Sequence, residues 1–437
     1  MNKHGQDEMG TSAVQRLVKR RHFLTGIAGA GLMITGVGSL GLGRPAFAAE
    51  NAFAPWFGPG GKAAGSDLTW VHGVNVPLTG QGADVGKVMS EGAQLAAEVI
   101  TASGGPQMTV ELNDHQSGLV PPAVQGIRRL IAQKGINSVV SCYGAATEAL
   151  FPLVEQYGLT LFWTGGPSPA GLNKPNVWLT IAIWALDPTP GGIAYMAKRF
   201  PDAKRLAIVG STENGVPAIN ELAPKAWAET AGGEVVSKEL VNTGATDFSS
   251  SVSRIKASKA DVIFTTFYGN DQGFFIKQVR EAGISAPILC IDLTPAVAKI
   301  AGSTVADNCF LATDGYLPEN PNPYNQAFVK VHRDKYGRDP EYFAANFFES
   351  TMILWLAIQR AIKADGTAGR GTGLSKAIEN DPQFPSVYGG TSTQAGSMTF
   401  NKDHSVTKPM GVFMIGPGGS LTKLATISKN STVLQPI

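Results

Sequence analysis

The chain has 437 residues and a formal charge of +2, and only 16% of those residues are charged, so it carries no basic footprint of the kind nucleic acid requires. Its three cysteines, Cys142, Cys290 and Cys309, are spaced for neither a metal knuckle nor a dense disulfide framework. In chain order the first feature is a basic and then apolar leader. Lys19-Arg20-Arg21-His22-Phe23-Leu24 precedes a glycine-rich apolar run, Ile27 to Leu42, and Ala46-Phe47-Ala48 supplies an A-x-A-like cleavage site. The pattern is that of a twin-arginine export signal over residues 1–48. A retained membrane anchor is the alternative, disfavoured by the frequent glycines and the missing stop-transfer cluster. Removing 48 of 437 residues leaves 389, more than one core usually organises, which predicts two domains.

Residues 49–66 (AENAFAPWFGPGGKAAGS) mix Pro and clustered Gly without a period and are expected to form a flexible tether. From residue 67 the pattern alternates between strand and helix. The strand GVNVP is followed by a helix whose Val88, Gly92, Leu95, Ala96 and Val99 share one face, and that helix stops at Gly104-Gly105. Ala123, Ile127, Leu130 and Ile131 form a second such face after Pro121-Pro122. Short β-rich runs separate these helices: Met108 to Leu112, Asn137 to Ser141, and Leu159 to Thr164. A second series begins after Leu186-Asp187-Pro188 and runs RLAIVG, a helix through Ala218 to Ala231, GEVVSKEL, DFSSSVSRIKAS, ADVIFTTF, GFFIKQVREAG and APILCID. This alternation predicts an α/β protein with parallel strands and right-handed crossovers. Helices follow over Tyr324 to Tyr336, Tyr342 to Ala364 and Leu374 to Asn380, and strands at Met398 to Asn401 and Met410 to Ile415 close the chain.

No G-x-G-x-x-G turn follows the first strand, so that crossover is not built to hold a pyrophosphate. The segments VPLTGQGADVG, EGAQLAAEVITASGG and GINSVVSCYGAATEALFPLVEQYGLTLFWTGGPSP resemble the substrate-binding proteins of ABC transporters, in the branched-chain amino acid (leucine-binding-protein-like, type I) group. The resemblance implies a type I periplasmic-binding-protein fold: two Rossmann-like lobes with parallel-sheet cores, joined by three crossings near Ala185, Leu317 and Thr407. One lobe is then expected to hold residues 67–184 and 318–406, the other 185–317 and 407–437. It also implies a periplasmic location, a small-molecule solute as ligand, and an ABC permease with its ATPase subunits as partners. Membrane contact would come only through that permease, and no cofactor or metal is implied.

Carried onto this chain, the resemblance points to loops at strand ends. In Tyr143-Gly144-Ala145-Ala146-Thr147, Gly144, Ala145 and Ala146 stand where hydroxyl residues are common, leaving Thr147 as the matching hydroxyl and as a helix N-cap. In Trp163-Thr164-Gly165-Gly166-Pro167-Ser168, Pro167 occupies a hydroxyl position and Ser168 is the nearest substitute, while the glycines permit close approach of backbone to solute. Tyr268 matches a ligand-facing aromatic of the family, and Asp292 lies near where the family's amino-acid receptors set an acidic residue against the ligand ammonium. The expected ligand set is therefore Tyr143, Gly144, Ala145, Thr147, Thr164, Gly165, Gly166, Ser168, Tyr268 and Asp292. Val85 and Glu213-Asn214-Gly215 depart from aromatic positions of the family. Tyr143, Trp163, Trp184 and Tyr268 are candidates for an aromatic-lined cleft, although aromatics at strand ends also serve as core.

An enzymatic reading would rest on Cys142, at a strand end, and His115. A single Cys and a single His in one domain are thin support, and no H-E-x-x-H, G-x-S-x-G or Walker sequence occurs. Cys290 and Cys309 lie near the ends of neighbouring predicted strands; a disulfide and a reduced pair both stay open. The expected function is that of an exported receptor, not an enzyme, delivering a small polar solute, an amino acid or related carboxylate or amide, aromatic solutes included, by cleft closure. The alternative is a ligand sensor of the same fold that reports to a signalling partner.

Overall fold

The computed structural model describes residues 52–57, 64–212 and 218–435. The export-signal assignment and Glu213-Asn214-Gly215 lie outside them. The strands are β1 (Thr69–Val76), β2 (Gln107–Asp114), β3 (Ser138–Ser141), β4 (Thr160–Trp163), β5 (Val177–Leu179), β6 (Arg205–Ser211), β7 (Glu234–Val241) and β8 (Val262–Thr266). They continue with β9 (Ile288–Cys290), β10 (Cys309–Thr313), β11 (Gln383–Thr391), β12 (Gln394–Phe400), β13 (Val406–Thr407), β14 (Met410–Ile415), β15 (Leu421–Ile427) and β16 (Leu434–Gln435).

The first sheet has the order β2-β1-β3-β4-β5 and every pairing in it is parallel. Its inner strands SVVS and TLFW are buried on both faces, as a parallel sheet covered by helices requires. The second sheet repeats that logic as β7-β6-β8-β9-β10 and is extended by the antiparallel strands β14, β15 and β16. In both sheets the order reverses beside the first strand of the series, which is where open α/β sheets leave a crevice at their carboxyl ends. A smaller sheet, β11-β12-β13, carries His404 in the turn between β12 and β13, and the His404 ring stacks on Trp178 of β5 at 4.1 Å.

The chain passes between the sheets three times: from β5 to β6, from β10 into the helix Pro323–Tyr336, and from β13 to β14. The helix Ala83–Ala102 buries Leu95, Val99 and Ile100, each worth about 1.5–3 kcal/mol of removed apolar surface. It lies against the long helix Tyr342–Asp365 so closely that a Cβ on Gly92 would stand 2.3 Å from the Ala344 carbonyl oxygen. No described helix is long and apolar enough to cross a membrane.

The segment expected to be a tether departs from that expectation over residues 53–57. Ala54–Phe57 is a helical turn, and Phe53 and Phe57 are buried. Phe57 stacks on Trp355 with ring centroids 4.6 Å apart, and Phe53 meets Tyr324 edge-on at 5.9 Å. Phe53 and Phe57, four residues apart in the chain, outweigh the local Pro and Gly signal because both rings pack on the long helix, against Phe348 and Trp355.

Candidate functional site

Between the two sheets lies a cleft with about 140 Å³ of space for water-sized groups. It is built from strand ends. Gln81, Gly82 and Val85 follow β1, Ser117 follows β2, Cys142, Tyr143 and Gly144 follow β3, and Gly165 and Gly166 follow β4. Opposite them stand Thr243 and Gly244 after β7, Tyr268 to Asp271 after β8, and Asp292 and Thr294 after β9. Trp184, on the first crossing, and Phe343, at the start of the long helix, complete the wall with Met89. The Gln81 side chain comes close to the other lobe: its Oε1 is 3.6 Å from where a Cβ on Gly244 would be.

Of the expected residues, Tyr143, Gly144, Gly165, Gly166, Tyr268 and Asp292 come together in this cleft. Ala145, Thr147, Thr164 and Ser168 are not among its lining. The Thr147 hydroxyl is buried, shares a hydrogen bond with Ser141 Oγ at 2.7 Å and donates to the Cys142 carbonyl at 2.9 Å. Thr164 pairs with the Thr180 hydroxyl at 2.6 Å. Ser168 donates to Glu148 at 2.6 Å and accepts the Ala170 amide, so it caps a short helical turn. Ala145 is exposed. Trp163 is fully buried, with its indole N–H on the Gly165 carbonyl at 3.1 Å, and thus shapes the loop from beneath.

Tyr143 has φ +64° and ψ 127°, a conformation that costs a non-glycine residue about 1–3 kcal/mol. The surrounding contacts impose it: the Tyr143 amide donates to the Gly165 carbonyl at 2.9 Å, and its ring meets His115 at 5.2 Å. A Cβ on Gly165 would lie 2.6 Å from Cys142 Cβ, so the floor of the cleft admits no side chain there. The first turn of a helix leaves its opening amides without intrahelical partners. Helices begin at Ala83, Gly144, Asn270 and Pro295, and Gly82, Gly144, Asn270 and Thr294 all line the cleft. Among the described residues its lining contains no Lys, Arg or His, so an anionic group there would be met by amides.

Asp292 supplies the opposite polarity. Its carboxylate accepts the Gly269 amide at 2.7 Å, yet burial pushes its pKa up to about 6. Asp271 accepts the Gly244 amide at 2.8 Å, tying the loop after β7 to the helix that follows β8. The aromatic wall is layered, with Trp184 stacked on Tyr268 at 5.6 Å and tilted against Phe343 at 6.1 Å.

Cys142 and His115 do meet: His115 Nε2 is 3.4 Å from Cys142 Sγ. The pair is not an activated nucleophile. His115 Nδ1 accepts the Gly118 amide at 2.9 Å, so the ring proton of the neutral imidazole sits on Nε2 and points at sulfur. Burial raises the Cys142 thiol well above its ordinary value and lowers His115 to about 4. Cys290 and Cys309 are buried free thiols on neighbouring strands. Sequence reasoning passed over Phe343, Met89, Ser117 and Thr294. Nothing in their local pattern distinguishes them from ordinary core and loop residues.

A profile of the periplasmic binding protein family matches residues 72–420. The Leu/Ile/Val-binding protein homolog 1 of Brucella suis biovar 1 is 26% identical over 339 residues, covering 75% of this chain and 86% of its own length. The leucine-, isoleucine-, valine-, threonine- and alanine-binding protein of Pseudomonas aeruginosa is 22% identical over 299 residues, with 66% and 78% covered. Among solved structures, the branched-chain amino acid transporter substrate-binding protein LivJ of Streptococcus pneumoniae, in complex with isoleucine, superposes with a TM-score of 0.67 at 21% identity, covering 82% of this chain and 99% of that one. A solute-binding protein of an ABC transporter from R. palustris, in complex with benzoate, gives a TM-score of 0.69 at 19% identity, covering 83% and 97%. These likenesses carry the type I fold with its two lobes and three crossings. With the family profile covering residues 72–420, which hold the parallel strands of both sheets apart from the start of β1 and every residue lining the cleft, the chain belongs to the periplasmic binding protein family.

Proposed function

We propose that this protein is an exported receptor that captures a small amphoteric solute, an amino acid or close relative with an apolar or aromatic side chain, and delivers it to the permease of an ABC importer. The observation that carries this reading is the polarity of the cleft: helix-start amides around Gly144 on one lobe face the buried Asp292 carboxylate on the other. A solute carboxylate suits the amides and a solute ammonium suits Asp292. Tyr143, Trp184, Tyr268 and Phe343 then enclose the remainder. A ligand touching both lobes favours the closed arrangement, which is the signal a permease would read. The branched-chain amino acid relatives support the amino-carboxylate class, and the benzoate-bound neighbour supports an aromatic one. Purified protein screened by thermal shift against L-leucine, L-valine, L-phenylalanine, benzoate and 3,4-dihydroxybenzoate tests it. An amino acid should raise the melting temperature in proportion to the logarithm of its excess over Kd. Stabilisation by benzoate alone would replace the ammonium contact with a purely anionic ligand class.

A further inference from the structure

We infer that Tyr342 is a positioning residue: it holds the Trp184 wall of the cleft and ties it to all three crossings, so that solute contact and lobe closure share one chain of hydrogen bonds and ion pairs. The inference rests on the cleft being the solute site. Trp184, on the first crossing, donates its indole N–H to the Tyr342 hydroxyl at 2.9 Å. That hydroxyl donates in turn to Asp314 Oδ1 at 2.6 Å, just beyond β10 on the second crossing. Asp314 Oδ2 accepts the Ala182 amide of the first crossing at 3.4 Å and lies 3.6 Å from the ammonium of Lys408. Lys408 sits between β13 and β14, on the third crossing. Its ammonium also reaches Glu349 at 3.0 Å and Asn346 at 3.2 Å, and lies 3.7 Å from the centre of the Tyr388 ring.

Tyr342, Asn346 and Glu349 are four and then three residues apart (342, 346, 349), so they project from one face of the same helix. That face receives one side chain from each crossing: Trp184, Asp314 and Lys408. The phenol is suited to the central place because a single O–H both accepts from the indole and donates to the carboxylate. Burial and the neighbouring Asp314 push its pKa well above the ordinary value, so it stays protonated for that task. Held in this way, the Trp184 ring lies within 28° of parallel to Tyr268 of the opposite lobe. A solute that moves this ring pulls on the crossings about which the lobes bend.

The test uses the whole receptor with Trp184→Phe, Tyr342→Phe and the double variant, after confirming native melting curves for each. The Trp184 indole N–H signal in a ¹H–¹⁵N spectrum is assigned by its loss in Trp184→Phe. In Tyr342→Phe it should shift and exchange faster with solvent, because its acceptor is gone. L-leucine and L-phenylalanine, titrated separately, should bind about three- to tenfold more weakly to either single variant, as for one lost hydrogen bond. The double variant should be no weaker than the poorer single, since both remove the same link. An unmoved Trp184 signal, unchanged affinity in Tyr342→Phe, or strictly additive losses would each overturn the inference. If wild-type protein binds neither probe, the amino-acid reading fails by itself, and the indole signal still decides whether Tyr342 positions Trp184.

Discussion

The Gly269 amide donates to the Asp292 carboxylate at 2.7 Å, so the loops leaving β8 and β9 share one buried negative charge at the edge of the cleft. Asp292 titrates near 6 in the folded protein against an ordinary 3.8, because burial disfavours its charged form. The folded state therefore binds this proton more tightly than the unfolded chain, and its stability contribution falls as pH rises from about 4 to about 6. By pH 7 the full cost is present, on the order of 3 kcal/mol. Asp292→Asn is expected to raise the unliganded melting temperature at pH 7 and to have little effect near pH 4. On the proposed amino-acid reading, the same variant should weaken binding at pH 7 by tenfold or more, about 1.5–3 kcal/mol for a charged hydrogen bond. In wild type the affinity should fall below pH 6 as the carboxylate protonates. An Asp292→Asn protein with unaltered affinity and stability at pH 7 would contradict the assignment.

Thr147→Ala offers a contrast. Its hydroxyl bonds Ser141 and the Cys142 carbonyl beneath the cleft, so the variant should lose about 1–3 kcal/mol of stability by leaving buried groups unpaired. Chemical denaturation reads this loss. Tyr268→Ala should do the reverse, weakening solute binding while costing less stability, because Tyr268 is only partly buried and faces the cleft.

The three thiols are sealed. Burial pushes Cys309 up to about 11 and raises Cys142 and Cys290 well above the ordinary thiol range. At pH 8 an aromatic disulfide reagent should label none in the native protein and all three after guanidinium unfolding. Rapid labelling of Cys142 in native protein would show that the cleft floor opens.

Lys408 is the counter-charge for two buried carboxylates, Asp314 and Glu349. Lys408→Met leaves both without it and is expected to cost about 3–5 kcal/mol in equilibrium unfolding. Adding Glu349→Gln should restore part of that loss, because one of the stranded charges is removed.

Phe57→Ala should destabilise by about 3–5 kcal/mol, since the ring is buried and stacked on Trp355. Solute affinity should be unchanged, as Phe57 does not line the cleft. A variant as stable as wild type would mean that the segment behaves as the tether its composition suggests.

Strands and helices with a strong period were legible in the sequence: the helix Tyr342–Asp365 and β14 fall where the pattern put them. The three-residue β5 was not, because VWL is too short to show a period and becomes a strand by pairing with β4. Site loops were legible as places, since Tyr143, Gly165, Tyr268 and Asp292 end strands and therefore meet at the crevice. Side-chain direction was not. Thr147 and Ser168 turn inward because nearby acceptors, the Cys142 carbonyl and Glu148, capture their hydroxyls. Of the aromatics named for the cleft, Trp184 lines it and Trp163 lies beneath it, whereas Phe343 reaches it through contacts between residues far apart in the chain, which no local window contains. The 53–57 segment departs from its composition for the same reason: the groove that receives Phe57 is made by Trp355, about two thirds of the chain away.

Three separate connections between the lobes restrict more than their separation. Two bodies joined by one strand of chain swing and twist freely, whereas three side-by-side connections resist torsion and leave bending about their common line as the soft motion. Opening and closing then follow nearly a single coordinate, and a solute that bridges the cleft meets its second set of contacts in a fixed register. A cut in any one connection would leave two in place, so a receptor nicked there should stay assembled and lose directional control before it loses its solute.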